Sequence, residues 1–414
     1  MKKVMVLGAG RGQVPIIDIC HKYNCYVITV SPKGDYPGLY VSDKVYYFDV
    51  TDKETIYMIA KNEQIDAVLT DQLDEGVLTA AYISEKLGIN GISYNVALKF
   101  TNKQIMRESA DKLGVSIPYS FIVSSLEDAI KKLNTEKKVS YPFMIKPVDS
   151  SASRGVFKIR SEIELREKFD ISMSYSSSGF VIIENYISGQ EFVVEAYTKN
   201  HITNNLIIGH RDYFSIPDTF IPSATVFIDA NSIDNEIESR IAKINKELVQ
   251  GFGLNFGITH AEFLYDKKND IIYLVEIAAR GGGVFISSDL IPSACGINAL
   301  ELLVKDCLNI AYEENFSLKK GASGYFCYLL PEGKVITLEG TSEVDKIDGI
   351  LKSFFDNIAI GINAGPIIDK SSRKGPILVS GISKDNCYSV IEEVKKVLKI
   401  RVVNNNKVLD AIWN

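Results

Sequence analysis

The sequence predicts an α/β protein with a parallel, doubly wound N-terminal domain, a central α+β domain and a small C-terminal α/β subdomain. Three observations predict this order. Residues 1–100 alternate short apolar runs with helical patterns, residues 101–318 contain apolar strands that carry charged residues, and residues 319–414 mix strands with one long helix. With 414 residues, the chain is long enough for two or three domains that each bury a core.

The first hundred residues predict a Rossmann-like domain because strands and helices follow one another in turn. The strands are expected in VMVLGAG, CYVITVS, KVYYFDV and IDAVLT, and helices are expected before Tyr23 and in KETIYMIAKNEQ and EGVLTAAYISEKLG. The first turn, Gly8-Ala9-Gly10-Arg11-Gly12, has its third glycine one residue too early for a dinucleotide fingerprint. Ser31-Pro32-Lys33 follows the second strand in place of an acid, so a tight turn is favoured over a nicotinamide or flavin site.

Charge and composition favour small-molecule partners. The net charge of −6 is spread along the chain, and no Lys/Arg block predicts binding to nucleic acid or to an anionic membrane. No apolar stretch has the length of a membrane span, and the N-terminus lacks the pattern of a signal peptide, so a cytoplasmic protein is expected. The six scattered cysteines are expected to be reduced core residues.

A lysine before a Ser/Gly-rich loop is the first candidate phosphate site. In YPFMIKPVDSSASRGVFKI an apolar strand leads to Lys146 and then to the loop 150–155. Backbone amides and hydroxyls of such a loop can surround phosphate oxygens while the lysine offsets their charge. The spacing differs from that of a P-loop. Taken alone, the segment also fits a flexible hairpin with a surface lysine.

The segment FVIIENYISGQEFVVEAY predicts a strand, a bend and a second strand. Glu184 ends the first strand, Tyr186 and Ile187 lie in the turn, and Glu191 begins the second strand. Such a bend can present backbone groups and an apolar wall to a flat heterocycle while a carboxylate accepts ribose hydroxyls. An edge hairpin with solvated acids is the alternative.

Two glutamates are predicted to face each other across a hairpin. The period-two rule places His260 and Glu262 on one face of GITHAEFL, and a register centred on Asn269 places Glu276 opposite Glu262. Opposed carboxylates repel unless a cation lies between them, and a hard divalent ion suits oxygen ligands. We therefore expect a magnesium site, with Arg280 near the anion that the metal carries. Strand-end glutamates paired with lysines are the alternative.

Together these motifs resemble the ATP-grasp superfamily, and the resemblance covers most of the chain. It implies a central domain at 101–318 with a lid at about 115–185, after the N-terminal domain 1–100 and before the subdomain 319–414. It also implies that the two lysines and the loop bind ATP phosphates, that 184–187 lines the adenine, that Glu191 binds the ribose, and that the paired glutamates hold Mg²⁺ or Mn²⁺. The implied nucleotide residues are Lys103, Lys146, Ser151, Ser153, Gly155, Glu184, Tyr186, Ile187 and Glu191, and the implied metal ligands are Glu262 and Glu276.

The chain departs from the family at the second metal strand. Many members have E-x-N-P-R there, whereas this chain has Glu276-Ile277-Ala278-Ala279-Arg280, so the asparagine ligand is missing and the number of metal ions is left open. EIAARGGG resembles the branch of L-amino acid ligases and other carboxylate–amine ligases more than the purine-pathway or biotin carboxylase branches.

The resemblance implies an ADP-forming C–N ligase that activates a carboxylic acid, expected to be an amino acid, as an acylphosphate and joins it to an amine. Lys146, Arg280 and His260 are the candidate catalytic residues, with His260 either a base for the amine or a hydrogen-bonding support. A carboxylase that activates bicarbonate and a nucleotide-binding protein without turnover are the alternatives. The two substrates and the oligomeric state are left open, and a homodimer is one arrangement that fits.

Two further segments are expected to add little chemistry. GHRDYFSIPDTFIPSATVF, with His210, Arg211 and Tyr213, is expected either to cover the acceptor pocket or to form an ordinary surface loop. The C-terminal residues from about Gly321 are expected to form a small α/β unit packed on the central domain.

Overall fold

The computed structural model describes residues 1–149, 154–217 and 219–414. The described chain is a mixed α/β structure, as the sequence predicts, and it contains four β-sheets. The predicted residues Ser151 and Ser153 lie outside the described residues.

The N-terminal part is a four-stranded parallel sheet with the strand order β3-β2-β1-β4. Strands β1 and β2 are buried along nearly their whole length, which is why they appear in the sequence as continuous apolar runs. Its elements are β1 (Lys3–Leu7), α1 (Val14–Lys22), β2 (Tyr26–Ser31), α2 (Pro37–Val41), β3 (Lys44–Tyr47), α3 (Lys53–Glu63), β4 (Ala67–Leu69) and α4 (Asp74–Leu87).

The glycine-rich turn after β1 is explained by close packing. Gly8 has a φ of +94°, in the region that favours glycine. A Cβ at Gly12 would lie 3.0 Å from the side chain of Gln72, whose amide donates to the Gly12 carbonyl. The turn therefore needs small residues because the loop after β4 lies against it.

Two helices and a small four-stranded sheet follow. The sheet has the order β5-β8-β6-β7, is antiparallel throughout, and packs against α7 and α8 around one apolar cluster. The elements are α5 (Tyr94–Thr101), α6 (Lys103–Lys112), β5 (Ser120–Val123), α7 (Leu126–Thr135), β6 (Phe143–Pro147), β7 (Phe157–Ile159), α8 (Glu162–Ser174) and β8 (Val181–Asn185).

The centre of the molecule is an eight-stranded antiparallel sheet with the order β13-β12-β9-β10-β11-β14-β18-β16. Its elements up to residue 307 are β9 (Gln190–Lys199), β10 (Ile202–Tyr213), β11 (Pro222–Asp229), α9 (Glu236–Phe252), β12 (Phe256–Asp266), β13 (Ile271–Ala278), α10 (Ile291–Cys295) and α11 (Ala299–Cys307). One face packs on α9, and the other packs on α10 and α11.

The C-terminal residues contribute strands to this large sheet and form a small sheet with the order β17-β15-β19-β20. β14 pairs with β11 in the large sheet. The predicted boundary at residue 318 therefore separates strands that belong to one sheet. The elements are β14 (Ala322–Tyr328), β15 (Gly333–Glu339), α12 (Thr341–Val344), β16 (Ile350–Ser353), β17 (Asn363–Ala364), β18 (Lys374–Gly381), α13 (Lys384–Val397), β19 (Lys399–Asn404) and β20 (Lys407–Asp410).

One apolar core joins the N-terminal sheet to the central sheet. It contains residues of β1 and α1 together with residues of β9, β10, α10 and α11. All six cysteines are buried with free thiols, as the sequence predicts. No helix in the described ranges combines the length and apolarity that a membrane crossing requires.

Candidate active site

A cavity of about 750 Å³ lies between the small sheet, the central sheet and the N-terminal part. Ten of the side chains singled out from the sequence line it: Lys103, Lys146, Glu184, Tyr186, Ile187, Glu191, His260, Glu262, Glu276 and Arg280. Gly155 is buried beside the cavity wall with a φ of +72°, where a Cβ would lie 2.9 Å from Pro147. The structure thus brings together residues that are up to 177 positions apart between Lys103 and Arg280.

Lys146 is held by a buried carboxylate. Its Nζ lies 2.6 Å from Oε1 of Glu184, and Arg107 of α6 forms an ion pair with the other oxygen. Burial alone would raise the pKa of Glu184, but Lys146 and Arg107 lower it to about 2. Burial lowers the pKa of Lys146, although Glu184 opposes that shift. Glu184 therefore positions a lysine in addition to lying beside the turn expected to line the adenine.

The turn after β8 leads to Glu191, which already accepts two hydrogen bonds. Arg211 binds one of its oxygens, and the hydroxyl of Tyr213 donates to the other. A carboxylate has about four acceptor positions, so each oxygen keeps capacity for a ribose hydroxyl. Gly189 precedes this strand because a Cβ there would collide with the backbone carbonyl of Tyr265. Nearby, Lys158 Nζ lies 3.6 Å from the ring centre of Tyr186.

Glu262 and Glu276 are paired directly across β12 and β13, as the sequence predicts. The reason includes a feature that the sequence analysis missed. Next to the turn, Asp266 of β12 pairs with Ile271 of β13, a pairing shifted by one residue from the predicted register. Val275 is an extra residue in β13, and beyond this β-bulge the pairing returns to the predicted register. The bulge therefore places both carboxylates at the cavity.

The two glutamates fit a divalent cation by the chemistry of their oxygens. Arg211 at 2.7 Å and His260 at 3.2 Å both donate to Oε1 of Glu262, and no described residue donates to Oε2. Lys103 Nζ lies 3.3 Å from Oε1 of Glu276. Each glutamate thus keeps an oxygen for a hard metal ion. The described residues hold no group of three or more side-chain ligands, so the pair would supply two protein ligands.

A helix cap places Lys103 beside the two facing glutamates, Glu262 and Glu276. The side chain of Asn102 accepts hydrogen bonds from the backbone N–H groups of Gln104 and Ile105, at 3.0 and 3.1 Å, and so begins α6. Lys103 is then the first helical residue, and its ammonium lies beside Glu276. The Asn-Lys pair in the sequence therefore combines a cap with a site lysine.

His260 lies between two carboxylates. Its Nδ1 contacts Glu195 and its Nε2 lies 3.2 Å from Glu262. Burial alone would lower the pKa of His260, but Glu195 and Glu262 raise it to about 9. At neutral pH the ring is therefore a cation that donates to both carboxylates. This geometry favours the supporting role over the role of a base for the amine.

Arg280 and the glycines after it join the site to the N-terminal part. The guanidinium of Arg280 donates to both oxygens of Asp74, at 2.8 and 2.9 Å. The Gly281 amide donates to Asp71 at 2.9 Å, and the Gly282 amide donates to Glu195 at 3.2 Å. The amides of Gly281 and Gly282 are thus already bound to carboxylates of the protein.

The sequence analysis missed several charged residues of the cavity. Arg107 and Asp74 each contact a residue that the motifs identified, but they lie in ordinary helical patterns that carry no signal of their own. Lys370 and Arg373 also line the cavity, although little chemistry was expected from the C-terminal residues. Their basic stretch, DKSSRKG, was the signal available in the sequence. Arg211 was noted only as part of a covering segment.

Comparison with known proteins identifies the family. Residues 139–289 match the model of the ATP-grasp domain. A formate-dependent phosphoribosylglycinamide formyltransferase from Aliivibrio fischeri is 30% identical over 426 aligned positions, which cover 97% of each chain. This relative shares the whole length of the chain.

Solved structures agree on the fold. The L-amino acid ligase from Bacillus licheniformis superposes with a TM-score of 0.80 at 21% identity, covering 98% of this chain and 99% of that one. The biotin carboxylase domain of the 2-oxoglutarate carboxylase from Hydrogenobacter thermophilus, solved as a dimer with MgADP, ADP and bicarbonate, superposes with a TM-score of 0.70 at 16% identity, covering 99% of this chain and 91% of that one.

The expected L-amino acid ligase is thus among the structural neighbours, while the relative that spans the full sequence is a formyltransferase. The chain belongs to the ATP-grasp superfamily and, within it, to the carboxylate–amine ligases, which are ATP-dependent enzymes that use ATP with Mg²⁺.

Proposed function

We propose that this protein activates a small carboxylic acid as an acylphosphate with ATP and joins it to an amine, releasing ADP and phosphate. The observation that carries the proposal is the cavity in which Glu262 and Glu276 face each other beside Lys103, with Lys146 and Arg280 on the same walls. Oxygen ligands for a metal and cations for phosphate groups in one cavity are what phosphoryl transfer needs.

The cavity also carries positive charge for an anionic substrate. Most of its cations are paired with a carboxylate, but neither Lys370 nor Arg373 forms an ion pair within the described ranges. Positive charge without a partner attracts an anion such as a carboxylate. These two side chains lie at the C-terminal side of the cavity, beside Tyr325 and Pro222.

In the proposed reaction the carboxylate of the acid attacks the γ-phosphorus of ATP, and ADP leaves. Lys103 and Lys146 exchange their carboxylate partners for phosphate oxygens, which fixes the terminal phosphate for attack. Mg²⁺ held by Glu262 and Glu276 would neutralise charge on the phosphates. Arg280 would turn from Asp74 to the charge that develops on the transferred group. The amine then attacks the acyl carbon and displaces phosphate.

The acid is proposed to be an amino acid, and formate is the second candidate. Formate is a candidate because the relative that aligns along 97% of this chain is a formate-dependent formyltransferase. A carboxylase that activates bicarbonate and a nucleotide-binding protein without turnover are the remaining alternatives. ADP release, measured over a panel of amino acids, formate and bicarbonate with and without amines, separates them. The proposal predicts ADP release that needs one organic acid, whereas release that needs only bicarbonate contradicts it.

Lys146→Ala should raise the KM for ATP and lower kcat, because the lysine would no longer contact phosphate. The melting temperature should fall only modestly, since Arg107 still neutralises Glu184. The measurement is steady-state kinetics with a thermal melt. Lys243→Ala, which changes a lysine with a 77% exposed side chain on α9, is the control and should leave both unchanged. A large loss of melting temperature with unchanged kinetics would assign Lys146 a structural role.

Glu276→Gln should lower activity on the order of 10²-fold and raise the Mg²⁺ concentration needed for half-maximal rate, because one charged ligand is lost. Stability should hardly change, since the Glu276 side chain is 38% exposed and loss of its charge relieves its repulsion by Glu262 across the strand pair. Rate against Mg²⁺ concentration measures the effect, and Glu247→Gln on the surface of α9 is the control. An unchanged Mg²⁺ dependence would remove Glu276 from the metal site.

An acid labelled with ¹⁸O in its carboxylate should give phosphate that carries one labelled oxygen. The carboxylate oxygen that attacks phosphorus stays on phosphate when the amine displaces it, and the amide keeps the other oxygen. Mass spectrometry of the phosphate, with detection of ADP, tests this. Label found only in unchanged acid would mean uncoupled ATP hydrolysis, and AMP as product would contradict the acylphosphate route.

A further inference from the structure

Arg211 lies in the cavity near the end of β10, in a segment that was expected either to cover the acceptor pocket or to form a surface loop. Its side chain and that of Tyr213 line the cavity, whereas His210 and Asp212 point the other way and contact Tyr388 of α13. Only 8% of Arg211 is exposed. A buried arginine needs partners for its charge and for its N–H groups.

The guanidinium joins two carboxylates with different expected roles. Nη1 forms an ion pair with Glu191, the candidate ribose residue, and Nη2 lies 2.7 Å from Oε1 of Glu262, the candidate metal ligand. The two glutamates lie on neighbouring strands, with Glu191 opposite Leu264 and Glu262 opposite Val193. Nε of Arg211 is buried and has no hydrogen-bond partner among the described residues.

Removing this charge would leave two buried carboxylates close together. Lys370 forms no ion pair with either glutamate within the described ranges, and of these two glutamates His260 contacts only Glu262. Like charges in a buried site repel strongly because little solvent screens them. Arg211 therefore sets the local charge that both a metal ion and a triphosphate would meet.

We propose that Arg211 is a positioning residue of the nucleotide site that couples its ribose end to its metal end by holding Glu191 and Glu262 with one guanidinium. The proposal rests on the proposed function, which assigns these two glutamates to nucleotide and metal. Before ligands bind, Arg211 holds both carboxylates in place with its two Nη groups. A metal ion would bind the open Oε2 of Glu262 while Arg211 keeps its contact with Oε1.

This role predicts effects of opposite sign on two ligands. Arg211→Gln removes a positive charge, so ADP in the absence of metal should bind about tenfold more weakly. Mn²⁺ alone, a spectroscopic substitute for Mg²⁺, should bind about tenfold more tightly, because two unneutralised carboxylates attract it. A purely structural arginine would instead change both affinities in the same direction or change neither.

Calorimetry with ADP in EDTA and electron paramagnetic resonance with Mn²⁺ measure these two constants on the full chain. Arg211→Lys keeps the charge and should bind Mn²⁺ within about threefold of the wild type, as expected for a charge effect. Arg240→Gln, which changes a surface arginine paired with Asp270, is the control and should match the wild type.

If Arg211→Gln does not fold, the double variant Arg211→Gln/Glu262→Gln tests the same point, because it removes one positive and one negative charge. It should bind metal-free ADP as the wild type does and lose Mn²⁺ binding. Weak ADP binding by the double variant, or affinities of the single variant that move together, would overturn the proposal. A wild-type protein that binds no MgADP would instead contradict the proposed function.

Discussion

The candidate active site depends on the pairing of buried charges. Six acidic side chains line the cavity, and those that are shielded from water are costly unless a cation and hydrogen bonds replace the lost solvation. Each partner comes from a different element. Arg107 of α6 reaches Glu184 of β8, Arg211 of β10 reaches two neighbouring strands, and Arg280 reaches Asp74 at the start of α4. The same ion pairs therefore hold the three parts of the molecule around the cavity.

These ion pairs also determine which contacts a bound nucleotide would have to replace. Lys103, Lys146 and Arg280 each contact a carboxylate, so phosphate groups would have to take the place of those carboxylates. Exchanging one buried ion pair for another costs less free energy than desolvating a solvated lysine, because the cation is already positioned and shielded from water. The pairing thus keeps the cations in place without making them inaccessible.

The sequence predicted what depends on local chemistry. Period-two alternation placed Glu262 and Glu276 on the cavity face, and the bend between Glu184 and Glu191 followed from short-range turn signals. The bulge at Val275 was not predictable, because it depends on how β13 packs. Arg107 was missed for a different reason. It becomes a site residue only through its ion pair with Glu184, far away in the chain, and a helical pattern contains no sign of such a contact.

The joint between the N-terminal part and the metal strands is tightly packed. Gly281 and Gly282 follow Arg280, and a Cβ at Gly282 would lie 2.7 Å from His260 and also collide with Glu195. Close approach of the backbone is thus required for the amide contacts to Asp71 and Glu195.

Just after these glycines, Val284 and Phe285 both adopt positive φ values, 62° and 59°, which cost energy for residues other than glycine. Two contacts hold this conformation: the Phe285 ring stacks on Phe354 at 4.8 Å, and its amide donates to Gln72 at 3.3 Å. Those partners come from the C-terminal and N-terminal parts. Because Val284 lines the cavity, the strained segment forms part of the cavity wall where the metal strands meet the N-terminal and C-terminal parts. The shape of that wall therefore depends on the whole fold and not on the metal strands alone, which explains why EIAARGGG by itself does not identify the substrate.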